Sequence, residues 1–385
     1  MHKKIWLAAT LTALVLAAAG CSSPGTAQPT GQASGAGTNF ATIADADFAG
    51  TSGKAPTTAV TTEPGQNVWI LSCSQMSEGC ATVSSAATEA AGLLGWKSTV
   101  YDGAFGAGGA YPTGVRQAIA AKADAIIVVS VDCNLIQAPL REAKRAGIPV
   151  VQAFSFDCDD PQVGGDALFT ASMKMTEEHP DLAGWMQQWG AAKARWLMAE
   201  TNGEARIINT VFDGKILGNH ANKGFTEQLA ECGNCEILED VHVADSDIGS
   251  GVLRQKFSSA LTANPTANAT NALFDGWMSA SGLAQAINSS GRSATIAAMG
   301  GEGLKPNMGF IKDGRGQSAA VAYDAQWLGW ATVDVLARAL AGAEQQIQGL
   351  GWQTVDVDHN TPEGESAYTS TYDFRADYRT AWNVK

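Results

Sequence analysis

Residues 123–157, ADAIIVVSVDCNLIQAPLREAKRAGIPVVQAFSFD, constrain this chain more than any other stretch. The apolar run 125–131 is bounded by charge and is too short for a buried helix, so it reads as a buried strand. Ile136, Leu140 and Ala143 then recur at helical spacing, and Gly147 stops that helix. Residues 148–153 form the next strand. Strand, helix and strand with short joints dictate a parallel pair with a right-handed crossover. In such sheets ligands sit beyond the carboxyl ends of the strands, where Asp132 and Asp157 fall.

The same alternation continues on both sides. Upstream, 68–72 is a strand, a helix carries Val83, Ala86, Ala87, Ala90 and Leu94 on one face, and 98–101 is a second strand ending at Asp102. The glycine-rich loop 103–112 has no GxGxxG opening a helix after a strand, so no dinucleotide site is expected. Downstream, 181–200 is a long helix with Leu182, Trp185, Met186, Trp189, Trp196 and Leu197 near one stripe. Strands are expected at 205–212, 236–243, 271–274, 294–299, 317–323 and 352–357. Three of them end on Asp213, Asp275 and Glu302. One acidic loop residue is ordinarily a helix cap. Carboxylates at several neighbouring strand ends mark a candidate ligand wall.

The N-terminus reads as an export signal. Lys3 and Lys4 precede the apolar stretch 5–19 and then Gly20-Cys21, which is too short and wrongly flanked for a membrane span. Cys21 after Ala-Ala-Gly resembles the lipobox of bacterial lipoproteins, with Ala18 where that pattern has Leu. The resemblance implies lipidation at Cys21 and anchoring to the outer face of the cytoplasmic membrane. Residues 21–62, rich in Gly, Ser, Thr, Ala and Pro, are expected as a flexible tether, of which 39–50 is less simple in composition and could pack on the body. A net charge of −13 leaves nothing to neutralise phosphates, so nucleic acid is excluded as a partner.

Six further cysteines remain, an even number that suits disulfides in an exported chain. Cys133 and Cys158 follow adjacent strands and are expected to pair. Cys73 and Cys80 flank one loop and could close it. Cys232 and Cys235 sit at a helix-to-strand turn, where a turn staple is favoured over a redox CxxC. A zinc site built of four Cys is disfavoured because the pairs lie in different parts of the chain.

The order of elements behind a lipoprotein signal resembles the type I periplasmic binding proteins, the sugar-binding components of bacterial ABC importers. Residues 123–157 carry the likeness most strongly, with NKGFTEQLAE (222–231), NALFDGWMSASGLAQAI (271–287) and AAVAYDAQWLGWATVDVLARALAG (319–342). The resemblance implies an α/β fold of two Rossmann-like lobes with parallel sheets, 63–168 with 303–320 and 169–302 with 321–385, joined by a three-segment hinge near Phe169, Glu302 and Tyr323. Ligand would bind in the cleft between the lobes, which close by hinge bending. Ser72, Gln75, Phe154, Asp157, Asp213, Asp275, Trp277, Glu302 and Tyr323 are carried over as ligand-binding positions. Where the family has Asp-Arg after the fourth strand, this chain has Ser155-Phe156-Asp157, and Asp275-Gly276 replaces Asn-Asp.

No HExxH, GxSxG or phosphate-loop motif is present, so an enzyme is not expected, nor a metal or cofactor. The expectation is a monomeric exported protein that passes a small polar, sugar-like solute to an ABC permease. A sensor that presents its ligand to a membrane receptor or kinase is the alternative, with a glycoside-processing enzyme behind it.

Overall fold

The computed structural model describes residues 39–385. The expected signal segment, Cys21 and the first part of the tether lie outside the described residues. Among the described residues no helix is long and apolar enough to cross a membrane.

The first lobe runs β1 (Asn67–Ser72), α2 (Glu78–Leu93), β2 (Lys97–Asp102), α3 (Ala110–Ala120), β3 (Ala125–Val129), α4 (Cys133–Arg145) and β4 (Val150–Ala153), preceded by α1 (Asp45–Ala49). Its sheet has the order β2-β1-β3-β4, all parallel. Every residue of β3 is buried, as an apolar run covered on both faces requires. Ser72 pairs with Asp102 and Val129, and Val129 pairs with Ala153, so the loops after all four strands gather at one end.

The second lobe follows with α5 (Leu182–Glu200), β5 (Arg206–Phe212), α6 (Ile216–Leu229), β6 (Glu236–Val243), α7 (Val252–Ala263), β7 (Ala269–Asn271), α8 (Asp275–Ser279), α9 (Leu283–Ser289), β8 (Ala297–Glu302), α10 (Lys305–Asp313) and β9 (Ala319–Ala322). Then come α11 (Ala325–Ala341), β10 (Gln353–Asp356) and α12 (Phe374–Trp382). The sheet order is β10-β9-β8-β7-β5-β6, parallel except for β10. Helices α5 and α6 pack backbone to backbone at Gly190 and Gly224, because a Cβ at either would collide with the other helix's carbonyls. Strands β7 and β8 are displaced from their expected spans, so Asp275 opens helix α8 and Glu302 is the last residue of β8.

The lobe boundaries differ from those expected. Strand β9 belongs to the second sheet, and Met308 and Ile311 of α10 pack with Ala320, Ala322 and Val355. Residues 303–320 are therefore part of the second lobe, and no hinge lies at Glu302. Helix α11 joins the first lobe instead, with Gly329 lying against Val83 and Ala86 of α2. The chain passes between lobes near 174–180, at Tyr323–Asp324 and through 343–352. The first and last of these run side by side, Gln348 N–H donating to Lys174 O and Gly349 N–H to Met175 O.

Residues 39–62 are not tether. Ala44, Ala55 and Val60 are buried, and Arg195 of α5 grips Asp47 with two bonds of 2.7 Å. Thr51 N–H donates to Trp352 O and Gly53 N–H to Gly349 O, which ties this segment to the third crossing. The apolar side chains that the Gly- and Thr-rich composition hides are enough to pin it. Disulfides join Cys73 to Cys80, Cys133 to Cys158, and Cys232 to Cys235.

Candidate functional site

A cleft of about 480 Å³ lies between the two lobes and takes its lining from both. That volume falls within the range of small-molecule sites, roughly 300–1,000 Å³. The lobes touch across it. Asp132 accepts from Phe156 N–H in its own lobe at 3.0 Å and from Ile216 N–H in the other at 2.9 Å. Burial pushes its carboxyl above the usual range. Asp160 and His220 meet at 2.8 Å, with Phe156 stacked on the imidazole, and Asn219 donates to Gln162 at 2.7 Å. These bonds define a closed arrangement.

The second-lobe wall is built around a buried charge cluster. Asp275 accepts from the N–H groups of Gly301, Gly303 and Leu304 and from Gln317 Nε2, at 2.7–3.1 Å. It braces the end of β8 from beneath, and burial raises its carboxyl to about 6. Lys193 of α5 donates to Ala272 O and Leu273 O and lies 3.8 Å over the Trp189 ring. Burial lowers it to about 7. Glu302 sits above both, at φ 106°, with long contacts to Gly276 N–H (3.3 Å) and Tyr323 Oη (3.5 Å). Burial first, and the Asp275 charge second, raise it to about 8. Its carboxylate reaches the first lobe at Gly79, where a Cβ would come within 2.5 Å of Oε1. A larger residue in this first turn of α2 would push the Glu302 carboxylate aside.

Aromatic rings make up most of the remaining wall. Phe212, Phe274 and Trp277 meet one another at 84–87° with centroids 5.1–6.2 Å apart. Phe154 and Tyr323 stand edge to face at 4.9 Å. Lys215 lies 5.2 Å over Tyr111 and 5.4 Å over Phe212 and pairs with Asp245 at 2.8 Å. The Tyr111 and Ser281 hydroxyls are buried in the lining without a protein partner. Each such group left unpaired costs about 1–3 kcal/mol, which a ligand could recover.

Of the nine expected positions, Phe154, Trp277, Glu302 and Tyr323 line the cleft. The others do not. Ser72 is fully buried at the end of β1, and Gln75 is exposed, its N–H bonded to Asp102. Asp157 spends both carboxylate oxygens on the N–H groups of Cys158, Leu168 and Phe169, locking its own loop. Asp213 is half exposed and paired with His242 away from the lining. Asp275 is wholly buried beneath the wall. Sequence reading passed over Lys193, Lys215, Tyr111, Phe212 and Phe274. Lys193 had a signal, because it stands four residues after Trp189 in the apolar stripe of α5.

Among the described residues, Cys133, Asp157 and Cys158 are close enough to share a metal. The two sulfurs are bonded to each other and the carboxylate is saturated, so the cluster has no free ligand.

A family model described as "Periplasmic binding protein domain" matches residues 70–344. No curated protein matches the chain significantly. Among solved structures, the fold resembles the periplasmic component of the arabinose ABC transporter from Shewanella sp. ANA-3, bound to arabinofuranose. That likeness has a TM-score of 0.62 at 20% identity and covers 82% of this chain and 95% of that one. An ABC transporter solute-binding protein from Mycobacterium smegmatis with bound glycerol aligns at TM-score 0.63 and 18% identity, over 79% and 100% of the two chains. A glucose-galactose binding protein from Geobacillus stearothermophilus aligns at 0.63 and 17%, over 77% and 99%.

Proposed function

This chain belongs to the periplasmic binding protein domain family, and from that premise we propose that it captures a small solute between its lobes and hands it to the permease of an ABC importer. The carrying observation is a cleft of ligand size lined from both lobes, with bonds that bridge them. A ligand that touches both walls adds its own contacts to the closed state, which is how such a protein couples occupancy to shape. The solved neighbours named for sugars and polyols make those solutes the reference class. The protein releases its ligand unchanged. Cys21 carries the lipid that keeps the body at the outer face of the cytoplasmic membrane.

Thermal unfolding against a panel of sugars, polyols, nucleosides and amines tests the reading. A true ligand at 100 times its dissociation constant adds about 2.7 kcal/mol of stability. A transition that no solute in the panel moves would overturn capture, and a chemically altered solute recovered after binding would overturn the absence of turnover.

A further inference from the structure

The cleft is dominated by rings and carries none of the amide or guanidinium groups that suit a polyol. Eight of its lining side chains are aromatic, and none is Asn, Gln, Arg or His. A polyhydroxylated ligand uses both donors and acceptors; amides supply both and guanidinium groups supply donors. Rings instead pack against apolar bodies and attract cations to their faces.

The charge points the same way. Four lining residues are acidic, Glu78, Asp132, Asp245 and Glu302, against one basic, Lys215. Lys215 is already paired with Asp245, and Asp132 has both oxygens on backbone N–H groups. Glu78 is exposed at the start of α2. Glu302 is left with only two long contacts. Beneath it one ammonium, Lys193, faces two carboxylates, Asp275 and Glu302, so one negative charge lacks a partner. Burial and the neighbouring Asp275 charge favour the protonated form of Glu302, raising its pKa to about 8. Independently, the buried hydroxyls of Tyr111 and Ser281 await a partner in the same cleft.

We propose that the solute is an organic cation, an amine or quaternary ammonium paired with the Glu302 carboxylate and carried on a ring-bearing apolar body held by Phe212, Phe274 and Trp277. The proposal rests on the solute-capture reading and narrows its ligand. Binding exchanges the Glu302 proton for the cation and releases that proton to water. The groups facing Glu302 are Asp275 from α8, Lys193 from α5, the Tyr323 hydroxyl after β9 and the first turn of α2.

Calorimetric titration with benzyltrimethylammonium, phenethylamine, 2-phenylethanol, myo-inositol and L-arabinose tests it. The two cations are expected to bind at least about tenfold tighter than 2-phenylethanol or either polyol. Benzyltrimethylammonium, which has no titrating group, gains up to about tenfold in affinity per pH unit until Glu302 is ionised near pH 8. Glu302→Gln abolishes both the preference and its pH dependence; should that variant not fold, the wild-type pH series decides alone. Tight binding of a polyol with none of the cations would overturn the cation assignment and leave capture standing. Retention of the preference in Glu302→Gln, or a flat pH series, would also overturn it. Binding of nothing in the panel overturns capture and the cation assignment together.

Discussion

The two walls of the cleft solve the same problem differently. In the first lobe, the loops after β1 and β4 are tied by Cys73–Cys80 and Cys133–Cys158, and the acidic side chains at the strand ends are saturated by backbone N–H groups. In the second lobe, no disulfide touches the lining, and three ionisable groups share a buried pocket with one charge unbalanced. A saturated carboxylate shapes its own loop and has nothing left for a ligand. An unsaturated one stores a demand that a ligand can meet. The first wall is a frame, and the second holds the chemistry.

The largest break expected in this contrast is Asp275→Ala. It removes four accepted hydrogen bonds and leaves the N–H groups of Gly301, Gly303 and Leu304 and the Gln317 amide buried and unpaired, so stability should fall by about 3–5 kcal/mol in denaturant titrations. A loss under 1 kcal/mol would remove Asp275 from its bracing role. Replacing Cys133 and Cys158 together by Ser should cost about 3 kcal/mol, since the bond spans a sequence separation of 25, while the second-lobe wall keeps its ligand preference. An altered preference would mean that the frame also selects.

The pH dependence of stability sharpens the comparison further. Asp275 and Glu302 titrate higher in the folded than in the unfolded chain. Their contribution is full below the unfolded carboxylate range and is lost as pH rises through about 6 and about 8. Lys193, depressed to about 7, works the other way and restores stability as pH climbs from there toward the ordinary lysine range. Stability should therefore dip near pH 7–8, and Glu302→Gln should flatten the descending limb; an unchanged limb would place the titration elsewhere. The smallest effect is expected for Asp213→Asn. Its pair with His242 is half exposed, a class of contact contributing about 0–1 kcal/mol, and ligand affinity should not move.

The parallel sheets were legible because buried strands in β/α units are uninterrupted apolar runs and their helices carry a 3.6-residue stripe. The run 125–131 and the helix with Ile136, Leu140 and Ala143 stand almost where they were expected. Lobe membership was not legible. Helix α11 and strand β9 are both largely buried, and nothing in their patterns says which lobe they join. Of the acidic strand ends, Asp157, Asp213, Asp275 and Glu302 look alike in sequence. They become a loop lock, a surface pair, a brace and a cleft carboxylate through neighbours distant in the chain.

What the sequence determined by itself is the alternation of strand and helix, and with it the end of each sheet where a ligand can sit, because periodicity and short joints are local properties. Which carboxylate is left unpaired there, which rings surround it and which lobe each late element joins were decided only by tertiary structure. Partnership of a buried charge depends on what the fold brings near it, and at Glu302 that is two long hydrogen-bond contacts, with the Lys193 ammonium and the Asp275 carboxylate acting only through their charge.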